Sequence, residues 1–193
     1  MRQRSSSKAI VNEFLVEITD LSTDGRGVAH IEQGADQQMG KAVFVDQALP
    51  GESGLIQTRK RRRRFDEAVW QTRDLDSPHR VKPRCEHFGM CGGCVLQHAD
   101  GDFQIEQKQK QLLNELERQS GIQPKKVLPA IKSPPWHYRR RARLGAKHVD
   151  KKQRVLVGFR ERQSSYIADL KQCEILAHPI ANLLQPLADL IMQ

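Results

Sequence analysis

The sequence lacks a long apolar run and has few aromatic residues. No window of about 18 apolar residues occurs among its 193 residues, which excludes a membrane-spanning helix. Aromatic residues make up 5% of the chain and the mean hydropathy is −0.64, so we expect a soluble chain with modest cores. The basic, Ser-rich segment 1–11 is not followed by the apolar stretch of a secretion signal, and it predicts a disordered tail.

Cysteine is also scarce, with four residues in the chain: Cys85, Cys91, Cys94 and Cys173. Because no export signal is present, we expect a cytoplasmic location, where disulfides are rare. Three of the four cysteines lie within ten residues of one another. Clustered cysteines in cytoplasmic proteins are more often metal ligands than disulfide partners.

Acidic residues are too few to balance the basic ones, and the excess positive charge is unevenly distributed along the chain. The net charge is +9, with 12 Lys+Arg against 11 Asp+Glu in residues 1–74 and 20 against 12 in residues 75–193. The segment 137–162 alone holds 10 basic and 2 acidic residues. A concentrated positive charge indicates a polyanion-binding surface, although some basic proteins are simply basic.

Short β-prone stretches separated by turn signals fill the first part of the chain. Gly25 and Gly27 flank a turn, and Pro50-Gly51 ends a strand. Five strands in about sixty residues predict a five-stranded OB-like β-barrel over residues 12–74. The predicted strands are 14–18, 27–31, 41–45, 54–60 and 66–72.

A Pro-containing segment, 74–84, predicts a linker to a second domain that runs to Gln193. Asp100 or Asp102 is placed to cap a helix that ends at Ser120-Gly121. Alternating stretches predict antiparallel strands, so the chain as a whole is expected to be α+β. These strands are 138–147, 154–160 and 165–170, and a last apolar-striped helix opens at 177–179 and stops at Gln193 without a cap.

The cysteines form a C-x5-C-x2-C loop at 85–94, with 78 residues between Cys94 and Cys173. Thiolates are soft ligands, and four of them suit Zn²⁺ or an iron–sulfur cluster. Gly92 and Gly93 are expected to let the backbone approach the sulfurs and donate N–H bonds to them. Structural zinc usually uses two paired knuckles, so the spacing favours a cluster over zinc and over unligated thiols, while all three interpretations stay open.

Two histidines, His87 and His98, lie near the cysteine loop. We interpret each as a surface residue or as a support for the ligands, and assume ligation by cysteine alone. Four protein ligands leave no vacant iron for radical chemistry, so a cluster here is expected to be structural or to respond to redox state.

An arginine-rich run, 59–64, falls between two predicted strands. Adjacent cations repel one another, and phosphates offset that repulsion best. We therefore favour RNA contact over a merely solvated hairpin tip. The residues predicted to bind RNA here are Arg61, Arg62, Arg63 and Arg64.

A second basic segment, 138–144, reads Tyr-Arg-Arg-Arg-Ala-Arg-Leu. On a strand, Arg139, Arg141 and Arg143 would share one face at steps of about 7 Å, which roughly matches the phosphate spacing of RNA. The alternative is an edge strand protected by charge. The residues predicted to bind or stack on RNA here are Trp136, Tyr138, Arg139, Arg141, Arg143 and Arg160.

Three motifs together resemble the 23S ribosomal RNA uracil-C5 methyltransferases: the segments 83–98, 138–144 and 171–176. The β-rich part at 12–74 is similar to the TRAM domain of that family, an RNA-binding module. The resemblance implies that Cys85, Cys91, Cys94 and Cys173 ligate a [4Fe–4S] cluster. It also implies 23S rRNA as partner and S-adenosylmethionine as the methyl donor for C5 of a uridine. The lack of a long apolar run predicts no membrane association, and we infer no protein partner.

The same resemblance implies that the catalytic domain follows this stretch and is absent from it. Gly25-Arg26-Gly27 precedes a strand, so it is not the strand–turn–helix fingerprint of a nucleotide-binding domain. No cysteine is left over as a nucleophile, and we predict no catalytic or S-adenosylmethionine-binding residue here. The chain is therefore expected to be an inactive part of an enzyme or, alternatively, a standalone RNA-binding iron–sulfur or zinc module.

Overall fold

A computed structural model describes residues 13–32 and 39–193. The chain divides into two compact units, the first ending at Arg80 and the second beginning at Val81. The predicted tail at 1–11 lies outside the described residues. In the part of the chain that the structure describes, no helix has the length and apolar character needed to cross a membrane.

In residues 13–32 and 39–80, the first unit is one six-stranded sheet in the order β1-β5-β6-β4-β3-β2. Neighbouring strands are antiparallel except for the parallel pair β4 and β6. Strand β1 also contacts β3, from which three strands separate it in the sheet order, so the sheet curls. The strands are β1 Glu13–Glu17, β2 Asp20–Leu21, β3 Gly27–His30, β4 Ala42–Asp46, β5 Ser53–Arg61 and β6 Phe65–Leu75.

Alternation of side chains along the strands decides which face of this sheet is buried. Strand β1 alternates exposed and buried residues, with Phe14 and Val16 turned inward. They join Ile18, Val43 and Ile56 in one apolar core.

The α+β class is confirmed, but the prediction of five strands was wrong. The two residues of β2 are too few to produce a periodic signal.

A buried carboxylate ties residues 76–80, part of the predicted linker, to this unit. Glu52 has no solvent exposure, and its side chain accepts hydrogen bonds from the guanidinium of Arg80 and from the Leu49 amide at 3.0 Å. Arg80 Nη2 also donates to the Gln47 carbonyl at 2.6 Å. Paired in this way, the buried charge is compensated, and the chain leaves the first unit only after Arg80.

The second unit begins with an irregular cysteine loop followed by α1, Gly101–Ser120. The Asp100 side chain accepts a hydrogen bond from the Phe103 amide at 2.8 Å, and Gly121 adopts a left-handed φ of 65°. Both predicted caps of this helix are confirmed. The remaining elements are the hairpin of β7 Gly145–Val149 and β8 Arg154–Gly158, a 3₁₀ turn Asp150–Lys152 between them, α2 His178–Ala181 and α3 Leu184–Met192.

Three predictions about this unit were wrong. The strand expected over 138–147 begins only at Gly145, because the backbone before it bonds to residues 174–177 and forms a single bridge between Arg139 and Leu176. The segment 165–170 likewise makes only one bridge, from Ile167 to Arg160. The last helix is also not continuous, since α2 and α3 are interrupted at Asn182 and Leu183.

Candidate metal centre

All four cysteines line one pocket in the second unit. Cys91 and Cys173 are buried within the apolar core of that unit, while Cys85 and Cys94 are half-buried. The thiols are not joined in disulfides. The apolar walls between them come from Phe88, Phe159, Leu170 and Ile175.

Backbone hydrogen bonds hold the loop at 85–94 in tight turns. The Phe88 amide donates to the Cys85 carbonyl at 3.1 Å, and the Cys91 amide donates to the His87 carbonyl at 2.9 Å. The Cys85 amide donates in turn to Oε1 of Gln97 at 3.1 Å. Three thiols are therefore held on one short, internally bonded segment.

The two loop glycines have different roles. The Gly93 amide donates to Cys91 Sγ at 3.3 Å, as predicted, whereas the Gly92 amide donates to the Arg160 carbonyl at 2.8 Å. A Cβ on Gly92 would lie 2.8 Å from that carbonyl oxygen, and a Cβ on Gly93 would lie 2.9 Å from the Phe159 ring. Close packing excludes side chains at both positions, and only one glycine bonds to a sulfur.

Successive backbone pairings bring the distant cysteine to this loop. The Gly92 amide bonds to Arg160, and the Arg162 amide donates to the Met90 carbonyl at 2.8 Å. The segment 160–162 is itself bonded to 166–168, since the Glu161 amide donates to Tyr166 at 2.9 Å. The chain then passes the loop again, where the Lys171 amide donates to His87 Nε2 at 3.3 Å, and it reaches Cys173.

Burial raises the pKa of the Cys85, Cys91 and Cys94 thiols, and repulsion from neighbouring thiolates raises it further. The neutral form of these three thiols is thus favoured unless a metal ion binds them. Metal ligands must be thiolates, so a bound metal centre would have to displace these protons. Because thiols lose their protons as the pH rises, any binding of a soft metal ion by these cysteines would strengthen with pH.

The two nearby histidines are not surface residues, which corrects the first of the two interpretations offered for them. His87 lines the pocket and His98 is 1% exposed, with its ring 5.3 Å from that of Phe88. Within residues 13–32 and 39–193, no three His, Cys, Asp or Glu side chains are grouped as a single metal ion requires. The four thiols share a pocket, but they are not grouped closely enough to coordinate one metal ion.

The arginine run of the first unit lies between two strands, as predicted; residues 59–61 end strand β5 and residues 62–64 form the hairpin tip. Strand β5 ends at Arg61 and β6 starts at Phe65, with the Arg62 amide donating to the Phe65 carbonyl at 3.0 Å. Asp66 lies beneath this tip without solvent exposure, and it pairs with Lys41 Nζ at 2.6 Å. The four predicted RNA-binding residues Arg61, Arg62, Arg63 and Arg64 are all exposed.

The second basic segment does not present its arginines on one face. Arg141 and Arg143 are exposed, as are Arg160 and Tyr138, whereas Arg139 is half-buried beside the cysteine loop. Trp136 packs against the core, and the Arg84 guanidinium lies 5.2 Å from its ring centroid. The predicted alternation fails because residues 138–144 are not a regular strand. Sequence reasoning also missed Arg84 and Glu174, whose isolated charges gave no signal.

A solved structure shares this fold. The tRNA (uracil-54, C5)-methyltransferase of Pyrococcus abyssi, in complex with S-adenosyl-L-homocysteine, matches with a TM-score of 0.53 and 26% identity over 91% of this chain and 36% of its own. The fold is therefore similar to that of a segment of an RNA uracil-C5 methyltransferase. No family model matches the chain.

Curated relatives point to the same class more specifically. The 23S rRNA (uracil(1939)-C(5))-methyltransferase RlmD of Stenotrophomonas maltophilia is 44% identical over 188 residues, and that of Cupriavidus metallidurans is 42% identical over 187. Each alignment covers 97% of this chain. The chain is thus homologous to 23S rRNA uracil-C5 methyltransferases over almost its entire length, and the resemblance read from its motifs is confirmed. It spans about 41% of the length of the first of these relatives.

Proposed function

We propose that this chain is the RNA-binding and cluster-binding part of a 23S rRNA uracil-C5 methyltransferase. In this proposal Cys85, Cys91, Cys94 and Cys173 hold a [4Fe–4S] cluster. The observation that carries the proposal is the position of Cys173, which lines the same pocket as three cysteines that precede it by 79 residues or more.

The residues present fit such a group. Four thiols without disulfides border an apolar pocket, and the Gly93 amide already donates to one of the sulfurs. Amide donors to sulfur and exclusion of water are general means by which proteins stabilise iron–sulfur clusters. When bound, a cluster would cross-link the loop to the distant segment, and it would be able to accept one electron.

Two exposed basic regions support the RNA-binding role. The hairpin of the first unit exposes Arg61 to Arg64, and the second unit exposes Arg141, Arg143 and Arg160. Exposed arginines bind phosphates through their charge and release counterions from the nucleic acid. The substrate, a uridine of 23S rRNA, is proposed from the names of the relatives.

In this proposal, methyl transfer and S-adenosylmethionine binding belong to the part of the relatives that this chain does not span. The chain on its own is then expected to bind 23S rRNA without methylating it. Incubation with labelled S-adenosylmethionine and rRNA should leave the RNA unlabelled, and methylated uridine would contradict this part of the proposal.

The decisive experiment is metal analysis of the chain purified without oxygen. We expect about four irons and four sulfides per chain. The protein should also show a broad absorbance band at about 400 nm. Binding to a 23S rRNA fragment, measured over a range of salt concentrations, completes the test. A colourless protein that retains zinc, or retains no metal, would overturn the cluster assignment.

A further inference from the structure

Arg139 differs from the other arginines of its run. Arg140, Arg141 and Arg143 are exposed, whereas Arg139 is half-buried. Its backbone is fixed on both sides, because its amide donates to the Ile175 carbonyl at 2.8 Å and its carbonyl accepts from the Ala177 amide at 3.0 Å. These partners follow Cys173 closely in the chain, so Arg139 is held beside the segment that delivers this cysteine.

The side chain of Arg139 also turns toward the cysteine loop. Its Nη1 donates to the Gly93 carbonyl at 3.4 Å, and its guanidinium lies 5.6 Å from the Phe159 ring centroid. Gly93 and Phe159 both line the cysteine pocket, and Gly93 is bonded covalently to Cys94. The guanidinium is thus placed against the wall of the pocket.

The positive charge of Arg139 lies at the Gly93 carbonyl, one residue from Cys94. A cation near a partly desolvated anionic group stabilises it more than the same cation in bulk water. An electron added to a cluster held by four thiolates increases its negative charge, so a nearby cation raises the reduction potential.

We propose that Arg139 is a positioning residue of the cysteine pocket, which fastens the loop at Gly93 and stabilises the reduced state of the bound cluster. Its guanidinium serves this pocket and not an RNA phosphate. This inference rests on the proposed cluster-binding function, and it removes Arg139 from the RNA-binding residues predicted from the sequence.

The test compares four anaerobically purified proteins: the wild type, R139Q, R139K and R141Q. Iron and sulfide content are measured first, and the midpoint potential is then obtained from a redox titration followed by absorbance and electron paramagnetic resonance. We expect R139Q to have a more negative midpoint potential than the wild type, while R139K stays nearer to it because the charge is kept. R141Q removes an exposed arginine two residues away and should leave the potential unchanged.

RNA binding is measured on the same proteins as a function of salt. We expect R141Q to weaken RNA binding and to reduce its salt dependence. R139Q should change both less.

If R139Q folds but loses iron that R139K retains, the lower cluster content of R139Q supports the assignment of Arg139 to the pocket. If both variants unfold, Arg139 serves folding alone and the inference fails.

The failure of this inference is distinguishable from failure of the proposed function. A wild-type protein without iron and sulfide refutes the cluster itself. A wild-type protein with a full cluster, together with an R139Q variant of equal iron content and equal midpoint potential, refutes only the role of Arg139.

Discussion

Arg84 and Glu174 form an ion pair, with Arg84 Nε and Glu174 Oε2 2.7 Å apart. Arg84 directly precedes Cys85 and Glu174 directly follows Cys173, so the pair joins the two segments that converge at the pocket. The Glu174 side chain is 13% exposed and that of Arg84 is 51% exposed. The pair therefore links the two segments at a partly solvated position next to Cys85 and Cys173.

A double-mutant cycle should detect the interaction between Arg84 and Glu174. We expect R84Q, E174Q and the double variant to give a coupling free energy of about 0.5–1 kcal/mol in urea unfolding. The pair Arg118–Glu115 on α1 is the control, because it is more exposed and lies within one helix. A coupling no larger than that of the control pair would mean that the ion pair at the pocket contributes nothing specific.

Replacing Cys173 with Ser should remove most of the iron from the anaerobically purified protein. A neutral hydroxyl is a poor ligand for iron compared with a thiolate, and the distant segment would lose its link to the loop. Urea unfolding should then occur at a lower concentration than in the wild type. The exposed residue Ser165 supplies the control S165A. Full iron content and an unchanged midpoint in C173S would remove Cys173 from the ligand set.

The hairpin tip is expected to bind phosphate directly. In the triple variant R61Q/R63Q/R64Q, affinity for rRNA should fall, and the slope of log affinity against log salt should decrease by about 2, because each phosphate neutralised on a single strand adds about 0.7 to that slope. The control K108Q/K110Q/K126Q removes the same charge from exposed positions elsewhere. Equally weakened binding in both variants would show that only net charge matters.

Asp66 should support the hairpin from below. It is fully buried, pairs with Lys41, and accepts a hydrogen bond from the Arg62 amide at 3.3 Å. D66N removes the charge that compensates Lys41, so we expect the free energy of unfolding to fall by about 1–3 kcal/mol. The exposed Asp74 on the same strand β6 provides the control D74N. Equal stability of the two variants in urea would contradict this role.

Asp169 should make stability depend on pH. Burial alone would raise its pKa, but the hydrogen bond from Lys152 and the charge of Arg154 outweigh it and hold the pKa of the carboxyl below 3.8. Arg154 Nη2 lies 2.7 and 2.6 Å from the two carboxylate oxygens. A lowered folded-state pKa means that the contribution is present above the ordinary pKa and is lost as the pH falls below it.

The corresponding experiment is urea unfolding of D169N and the wild type at several pH values. At pH 7 we expect D169N to be less stable by about 1 kcal/mol or less, because Lys152 and Arg154 are partly exposed. The difference should shrink and disappear as the carboxyl is protonated in acid. D102N, which alters a more exposed pair with Lys132, is the control. A difference that persists in acid would point to packing instead of charge.

Elements that depend on neighbouring residues were predicted well. The caps of α1 at Asp100 and Gly121 follow from local hydrogen bonds and from the freedom of glycine to adopt a positive φ. The hairpin that joins β5 to β6 follows from two flanking β-prone stretches. These signals lie within a few residues of the structure they specify, so the sequence displays them directly.

Elements that depend on distant partners were predicted poorly. The alternation at 138–144 is typical of a strand, yet the backbone of Arg139 bonds to Ile175 and Ala177, about 36 positions away. The periodicity therefore could not show that Arg139 is half-buried while Arg141 is exposed. The break between α2 and α3 is similar, since the apolar pattern runs through it without interruption.

The sequence by itself determined which chemistry is available: four thiols, an arginine-rich hairpin, a basic second half and the motifs of a methyltransferase family. Only the tertiary structure decided that Cys173 joins the loop at 85–94, that Arg139 lies against this pocket, and that Glu52 retains Arg80 in the first unit. The physical reason is that convergence of remote segments is produced by backbone pairing and core packing over long separations, for which no local pattern of residues carries a signal.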